Sequence, residues 1–125
     1  MSRSFDAAGR PAPTEIRLLR AERALLVTFA DGAVFRFPAE FLRVTSPSAE
    51  VRGHGGEQPP VAGKRDVAIA GLDPVGNYAI RIVFDDRHDS GIFSWEFLYD
   101  SGRDQERLWR DYLAKLAQYG FRRDA

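Results

Sequence analysis

The sequence predicts an α+β domain in two layers: a mostly antiparallel sheet of about six strands, a long C-terminal helix and one or two short helices. Three observations carry this. Short β-rich runs, several with alternating apolar residues, recur between Glu15 and Ser94 with turn signals between them. Apolar residues recur at three- and four-residue steps from Leu108 to Leu116, the spacing of one helix face. Strand and helix signals are partly segregated along the chain, which favours α+β over alternating βα units.

Taken in order, residues 1–12 read as a flexible leader with Gly9 and Pro11 as breakers, and residues 13–125 as one domain. Glu15–Arg20 is a first strand, with Ile16 and Leu18 on one side and Arg17 and Leu19 on the other. Asp31-Gly32 lies between Leu25–Phe29 and Val34–Phe37. Glycine accepts the positive φ of a tight turn, so this pair predicts a hairpin. Pro38 suits a first helical position, because its missing N–H has no helical partner to lose. Phe41 and Leu42 then pack inward, and Thr45–Ser48 ends the helix.

Residues 49–66 contain Gly53, Gly55, Gly56, Pro59, Pro60 and Gly63 and show no period, so a long exposed loop is expected. Val67–Leu72 is a strand and Asp73–Gly76 a turn. Asn77–Phe84 is the strongest strand, with Tyr78, Ile80, Ile82 and Phe84 on one face and Ala79, Arg81 and Val83 on the other. Asp85–Ser90 is polar, Gly91–Ser94 a short returning strand, and Trp95–Tyr99 a short helix. Ser101 and Asp104 stand at capping-box spacing before a helix over 103–119. Leu108, Trp109, Tyr112, Leu113 and Leu116 would bury its face on the sheet, and Gly120 would cap its end.

The totals narrow the function. A chain of 125 residues suits one domain, and at this size roughly two-thirds of the unfolded surface is buried, so a core needs no metal or disulfide. There is no cysteine, which excludes a disulfide, a thiol nucleophile and a cysteine-ligated zinc or iron–sulfur centre within the chain. Eighteen basic residues balance 18 acidic ones, without the basic excess of a nucleic-acid binder. No apolar run approaches the roughly 18 residues of a membrane span, and the first residues lack the pattern of a secretory signal. A soluble cytoplasmic protein is expected, with no nucleic-acid or membrane partner.

Four groups of residues could carry chemistry. Asp85-Asp86-Arg87-His88-Asp89 joins carboxylates to an imidazole and could bind a divalent metal or move protons. The same residues also make an ordinary polar turn, the favoured reading, and His54 is far from His88 in sequence. Gly53-His54-Gly55-Gly56 is glycine-rich but lacks the lysine and serine of a phosphate loop. Ser46 and Ser90 lack a nucleophile elbow. Tyr78, Phe84, Phe93, Trp95 and Phe97 could stack on a ligand, but aromatics at strand spacing normally pack a core.

Four segments in this order resemble one family: Phe41–Glu50, Gly63–Val67, Val75–Ala79 and Phe84–Trp95. Over roughly Pro13 to Tyr99 the chain resembles the gamma-butyrobetaine hydroxylase-like N-terminal domain family, whose small bacterial members are also called domain of unknown function 971. In the dioxygenases that carry this domain, the resemblance implies a zinc site made by a Cys-x-Cys-x-x-Cys cluster after a Leu-Arg pair and by a histidine in an Asp-Gly-His turn. Leu42-Arg43 matches the pair and His88 the histidine, but Ser46, Ser48 and Val51 stand at the cysteine positions. A serine hydroxyl is a poor zinc ligand and valine is none. The dioxygenase domain is missing too, so hydroxylase activity does not carry over.

The resemblance also associates such domains with P-loop ATPases of iron–sulfur cluster assembly. The expectation is therefore a non-enzymatic interaction domain without a cofactor, its partner such an ATPase. Its surface would join Thr45–Ser48 to Asp85–Ser90 and include Arg43, His88 and Asp89. The alternative is a metal-binding regulatory domain using His88 with Asp85, Asp86 or Asp89. A small enzyme working beside His88 is the third possibility.

Overall fold

A computed structural model describes residues 11–46, 59–87 and 91–124. Among them are six strands in two antiparallel sheets. The first contains β1 (Pro13–Leu19), β2 (Ala24–Phe29) and β3 (Val34–Pro38) in that order, and the second β4 (Ile69–Val75), β5 (Ala79–Phe84) and β6 (Gly91–Ser94). Helix α1 (Ala39–Val44) follows the first sheet, and α2 (Trp95–Arg103) and α3 (Gln105–Tyr119) follow the second.

The α+β class and the strand number agree with the sequence reading, but the expected single sheet is two. Each sheet is closed by local connections between consecutive strands, and α1 intervenes before β4. Pro38 is the N-cap of α1, which therefore begins one residue later than expected, and the Ala39 N–H donates to the Arg23 carbonyl at 2.8 Å. Both sheets nevertheless share one core. Leu25, Val27, Phe29 and Phe37 from the first meet Ile69, Ile80, Ile82, Phe84 and Phe93 from the second. Phe41 and Leu42 of α1 and Leu98 of α2 complete it, each almost fully buried.

The first hairpin forms where Asp31-Gly32 predicts it. Gly32 takes φ +92° and donates to the Phe29 carbonyl, while Asp31 Oδ1 accepts from the Ala33 N–H at 2.9 Å. The expected leader is overstated at its end: Pro11 is buried, and the Ala12 carbonyl accepts from the Ala30 N–H. Residues 1–10 lie outside the described residues.

In the second sheet the turn comes later than expected. β4 runs on through Asp73-Pro74-Val75, with Pro74 opposite Ile80. β4 is an edge strand of its sheet, the position at which a strand tolerates proline. Gly76, at φ +54°, then begins the turn, so Tyr78 falls before β5 and stands 57% exposed instead of in the core.

Ser101 is not a cap. It is buried inside α2, where its hydroxyl donates to the Leu98 carbonyl. Ser94 caps α2, its Oγ accepting from the Phe97 N–H at 3.0 Å, and Asp104 stands at the N-cap of α3 without a side-chain hydrogen bond. The long helix accordingly begins at Gln105, and Gly120 caps it in the left-handed conformation as expected. Tyr112 and Leu116 are buried and Leu113 is exposed, so the stripe is narrower than the spacing suggested. Part of that stripe meets α1, where Trp109 packs on Phe41 with ring centroids 6.5 Å apart.

Candidate functional site

The site is built on the end of α1 and the end of β5. Phe41 and Leu42 are pinned in the core, which fixes the rotation of α1. Phe84 pins the end of β5 in the same way. The two residues after it are held in turn: Asp85 exchanges hydrogen bonds with Ala68, through its own N–H at 2.9 Å and its Oδ1 at 3.1 Å. Arg87 then takes φ +71°, a left-handed conformation that costs a non-glycine residue about 1 kcal/mol.

Between these elements Asp86 forms an ionic node. Its Oδ2 accepts from Arg43 Nε at 2.9 Å and from Lys64 Nζ at 2.6 Å. All three side chains are largely withdrawn from solvent, at 13% exposure for Arg43, 19% for Asp86 and 22% for Lys64. In such surroundings an ion pair is screened less than on an open surface. Beside the node lies a cavity of about 240 Å³ lined by Gly63, Lys64, Asp66, Val67, Asp85 and Asp86. Two cations on one carboxylate oxygen make Asp86 an anchor that joins three segments.

A second contact ties the same two regions. Ser46, just past α1, is fully buried, and a Cβ built on Gly91 would stand 3.0 Å from its hydroxyl. The structure thus brings Arg43 against Asp86 and Ser46 against Gly91. Of the residues proposed from sequence, Arg43 and Asp86 are in the node, and Ser46 is buried against Gly91. His88, Asp89 and Ser90 lie outside the described residues, as do Ser48, Val51 and Gly53-His54-Gly55-Gly56.

The residues do not suit the zinc ion that the family resemblance implies. Ser46 supplies a hydroxyl where a thiolate is needed, and Asp86 Oδ2 is engaged by two cations. Among the described residues, no group of three or more His, Cys, Asp or Glu side chains is gathered for a metal.

Sequence reasoning missed Lys64 and a second ionic pair. Lys64 belongs to the stretch expected to be an exposed loop, yet residues 61–64 are half-buried and held by the C-terminal end. Gly63 and Arg65 donate their N–H groups to the Arg122 and Arg123 carbonyls, and Tyr112 Oη donates to the Val61 carbonyl at 2.6 Å. Buried Glu40 of α1 accepts two hydrogen bonds from Arg123, which lies over the Trp109 ring. These groups border a cavity of about 510 Å³ that also touches Phe41, Arg103 and Glu106. Burial, followed by the Glu40 carboxylate, pushes the Tyr112 phenol up to about 12. The hydrogen bonds to Glu40 raise Arg123 above its ordinary value. A charged residue in a short helix that also holds core residues, such as Glu40, was the available signal.

The model of the family described as gamma-butyrobetaine hydroxylase-like, N-terminal, matches residues 16–99. No curated protein matches the chain. Among solved structures, one determined by NMR is 43% identical, with 96% of this chain and 90% of that one covered and a TM-score of 0.81. A second NMR structure is 45% identical, covering 91% of this chain and 90% of that one with a TM-score of 0.79. A crystal structure of a protein of unknown function from Acidithiobacillus ferrooxidans, assigned to the DUF971 family, is 41% identical. It covers 69% of this chain and 86% of its own, with a TM-score of 0.59.

Proposed function

The chain belongs to the gamma-butyrobetaine hydroxylase-like N-terminal family, and from that premise we propose that it is a non-catalytic accessory domain that binds a protein partner through the surface around Asp86. One observation carries the reading. Asp86 clamps α1, the Lys64 segment and the turn after β5 into one polar patch. A patch held in place before binding loses little conformational freedom on docking. Arg43, His88 and Asp89 are the residues we assign to partner recognition.

The partner we propose is an ATPase of iron–sulfur cluster assembly, and the place of action the cytoplasm. Support for the partner is associational: it comes from the resemblance to domains joined to such ATPases. Among the described residues no helix is long and apolar enough to cross a membrane.

Affinity capture from the native host tests both halves. The immobilised full chain should retain an iron–sulfur assembly ATPase, and Arg43→Ala and His88→Ala should release it. Repeated failure to capture such an ATPase removes the partner. Capture that both variants leave unchanged removes the surface.

A further inference from the structure

Residues 121–124 bridge two parts of the molecule that are distant in sequence. Gly120, at φ +68°, ends α3 in the left-handed conformation. The Arg122 and Arg123 carbonyls then accept from the Gly63 and Arg65 N–H groups at 2.9 and 3.0 Å. Arg123 forks onto Glu40 of α1, and Asp124 pairs with Arg65. The amides on either side of Lys64 are thus both held by this segment, while the Lys64 ammonium reaches Asp86 at 2.6 Å. Residues 61–65 belong to no helix or strand that could fix them instead. Tyr112 of α3 adds one further hold, at the Val61 carbonyl.

The hold is polar. None of residues 121–124 is buried, and Phe121 is 41% exposed. The Arg65–Asp124 pair stands half-exposed, where an ion pair contributes little. The strong point is the bidentate fork of Arg123 on the buried Glu40 carboxylate. A segment with few buried apolar contacts opens at low free energy while the core beneath it stays folded. Opening at Gly120 removes the partners of both amides around Lys64. Its ammonium must then reach Asp86 from an unanchored loop, which costs chain entropy. Arg43 keeps its place on Asp86, because Phe41 and Leu42 fix α1 in the core.

We infer that residues 121–124 are a latch, hinged at Gly120 and fastened by Arg123, that places Lys64 on Asp86. Latched, Lys64 and Arg43 share one Asp86 oxygen; released, Asp86 loses Lys64 and keeps Arg43. Any effect on docking rests on the partner reading above. The latch itself is read from exchange and stability, so the two fail separately.

Amide hydrogen exchange and urea unfolding test the inference on the full chain and on a chain ending at Gly120. A second shortened chain carries Glu40→Gln, so that no buried carboxylate is left without its partner. In both shortened chains the Gly63 and Arg65 amides should exchange about tenfold faster or more. Lys64→Met, which removes the ammonium and keeps the stem, should raise the unfolding constant of the full chain by about tenfold and that of the shortened chains by less than about twofold. An equal effect of Lys64→Met in full and shortened chains would overturn the inference. So would parent-level protection of Gly63 and Arg65 after shortening. Loss of a dispersed amide spectrum in both shortened chains would overturn it as well, because residues 121–124 would then be part of the core and not a latch.

Discussion

Glu40 and Arg123, 83 positions apart, meet fork to fork: Arg123 Nη2 donates to Glu40 Oε1 at 2.7 Å, and Nε donates to Oε2 at 2.8 Å. The Glu40 side chain is 7% exposed, and the guanidinium stands 5.2 Å from the Trp109 ring centroid. Removing one partner of such a pair leaves a charge buried without compensation. Arg123→Ala is therefore expected to cost about 3 kcal/mol in urea unfolding. Arg123→Lys should lie between it and the parent, since an ammonium keeps the charge but not the bidentate fork. A loss below about 0.5 kcal/mol for Arg123→Ala, the range of an ordinary surface change, would show that the pair is not a structural tie.

Gly102 lies in α2, where alanine would ordinarily gain about 1 kcal/mol of helix propensity. Here a Cβ would stand 2.5 Å from both Cγ and Cδ2 of Phe35 on β3. Overpacking of that kind costs about 1–3 kcal/mol and outweighs the gain. Gly102→Ala should be destabilising, and less so in a Phe35→Leu background. Additive effects in the double-mutant cycle would refute the contact.

Asp86→Ala leaves Arg43 and Lys64 without the carboxylate oxygen they share. A loss of about 1–3 kcal/mol is expected, the cost of stranding hydrogen-bonding groups away from water. The Arg87 N–H, bonded to the Phe84 carbonyl at 3.1 Å, should exchange faster with solvent deuterium. If that amide exchanges at the parent rate, Asp86 does not hold the turn.

Tyr112 makes stability depend on alkaline pH. Its phenol is raised from 10.0 to about 12, first by burial and then by Glu40. The folded chain holds this proton more tightly than the unfolded one. Its contribution is therefore fully present below about pH 10 and is lost as pH rises through about 12. Two units correspond to on the order of 2–3 kcal/mol. Between about pH 9 and about pH 11.5 the parent should lose more stability than Tyr112→Phe, which has no phenolic proton to lose. Parallel declines would remove Tyr112 as the cause.

Much of the fold was legible because it rests on local signals. Asp31-Gly32 marks a turn by its own chemistry, and Ile80, Ile82 and Phe84 mark a strand by alternation. Tyr78 was misplaced because alternation alone does not say where a strand starts; the turn at Gly76 does. Leu113 was misplaced because spacing says which residues share a helix face, not how wide a strip its neighbours cover.

Sequence alone therefore determined the α+β class, the hairpin, the strongest strand, the C-terminal helix and the family resemblance, all properties of neighbouring residues or of motif order. Tertiary structure alone decided that the strands divide into two sheets over one core. It also decided that Asp86 pairs with Arg43 and Lys64, and Glu40 with Arg123. The physical reason is range. A turn or a helical stripe is encoded within a few residues, whereas an ion pair between positions 43 and 86 depends on how α1 and β5 are set by everything packed beneath them.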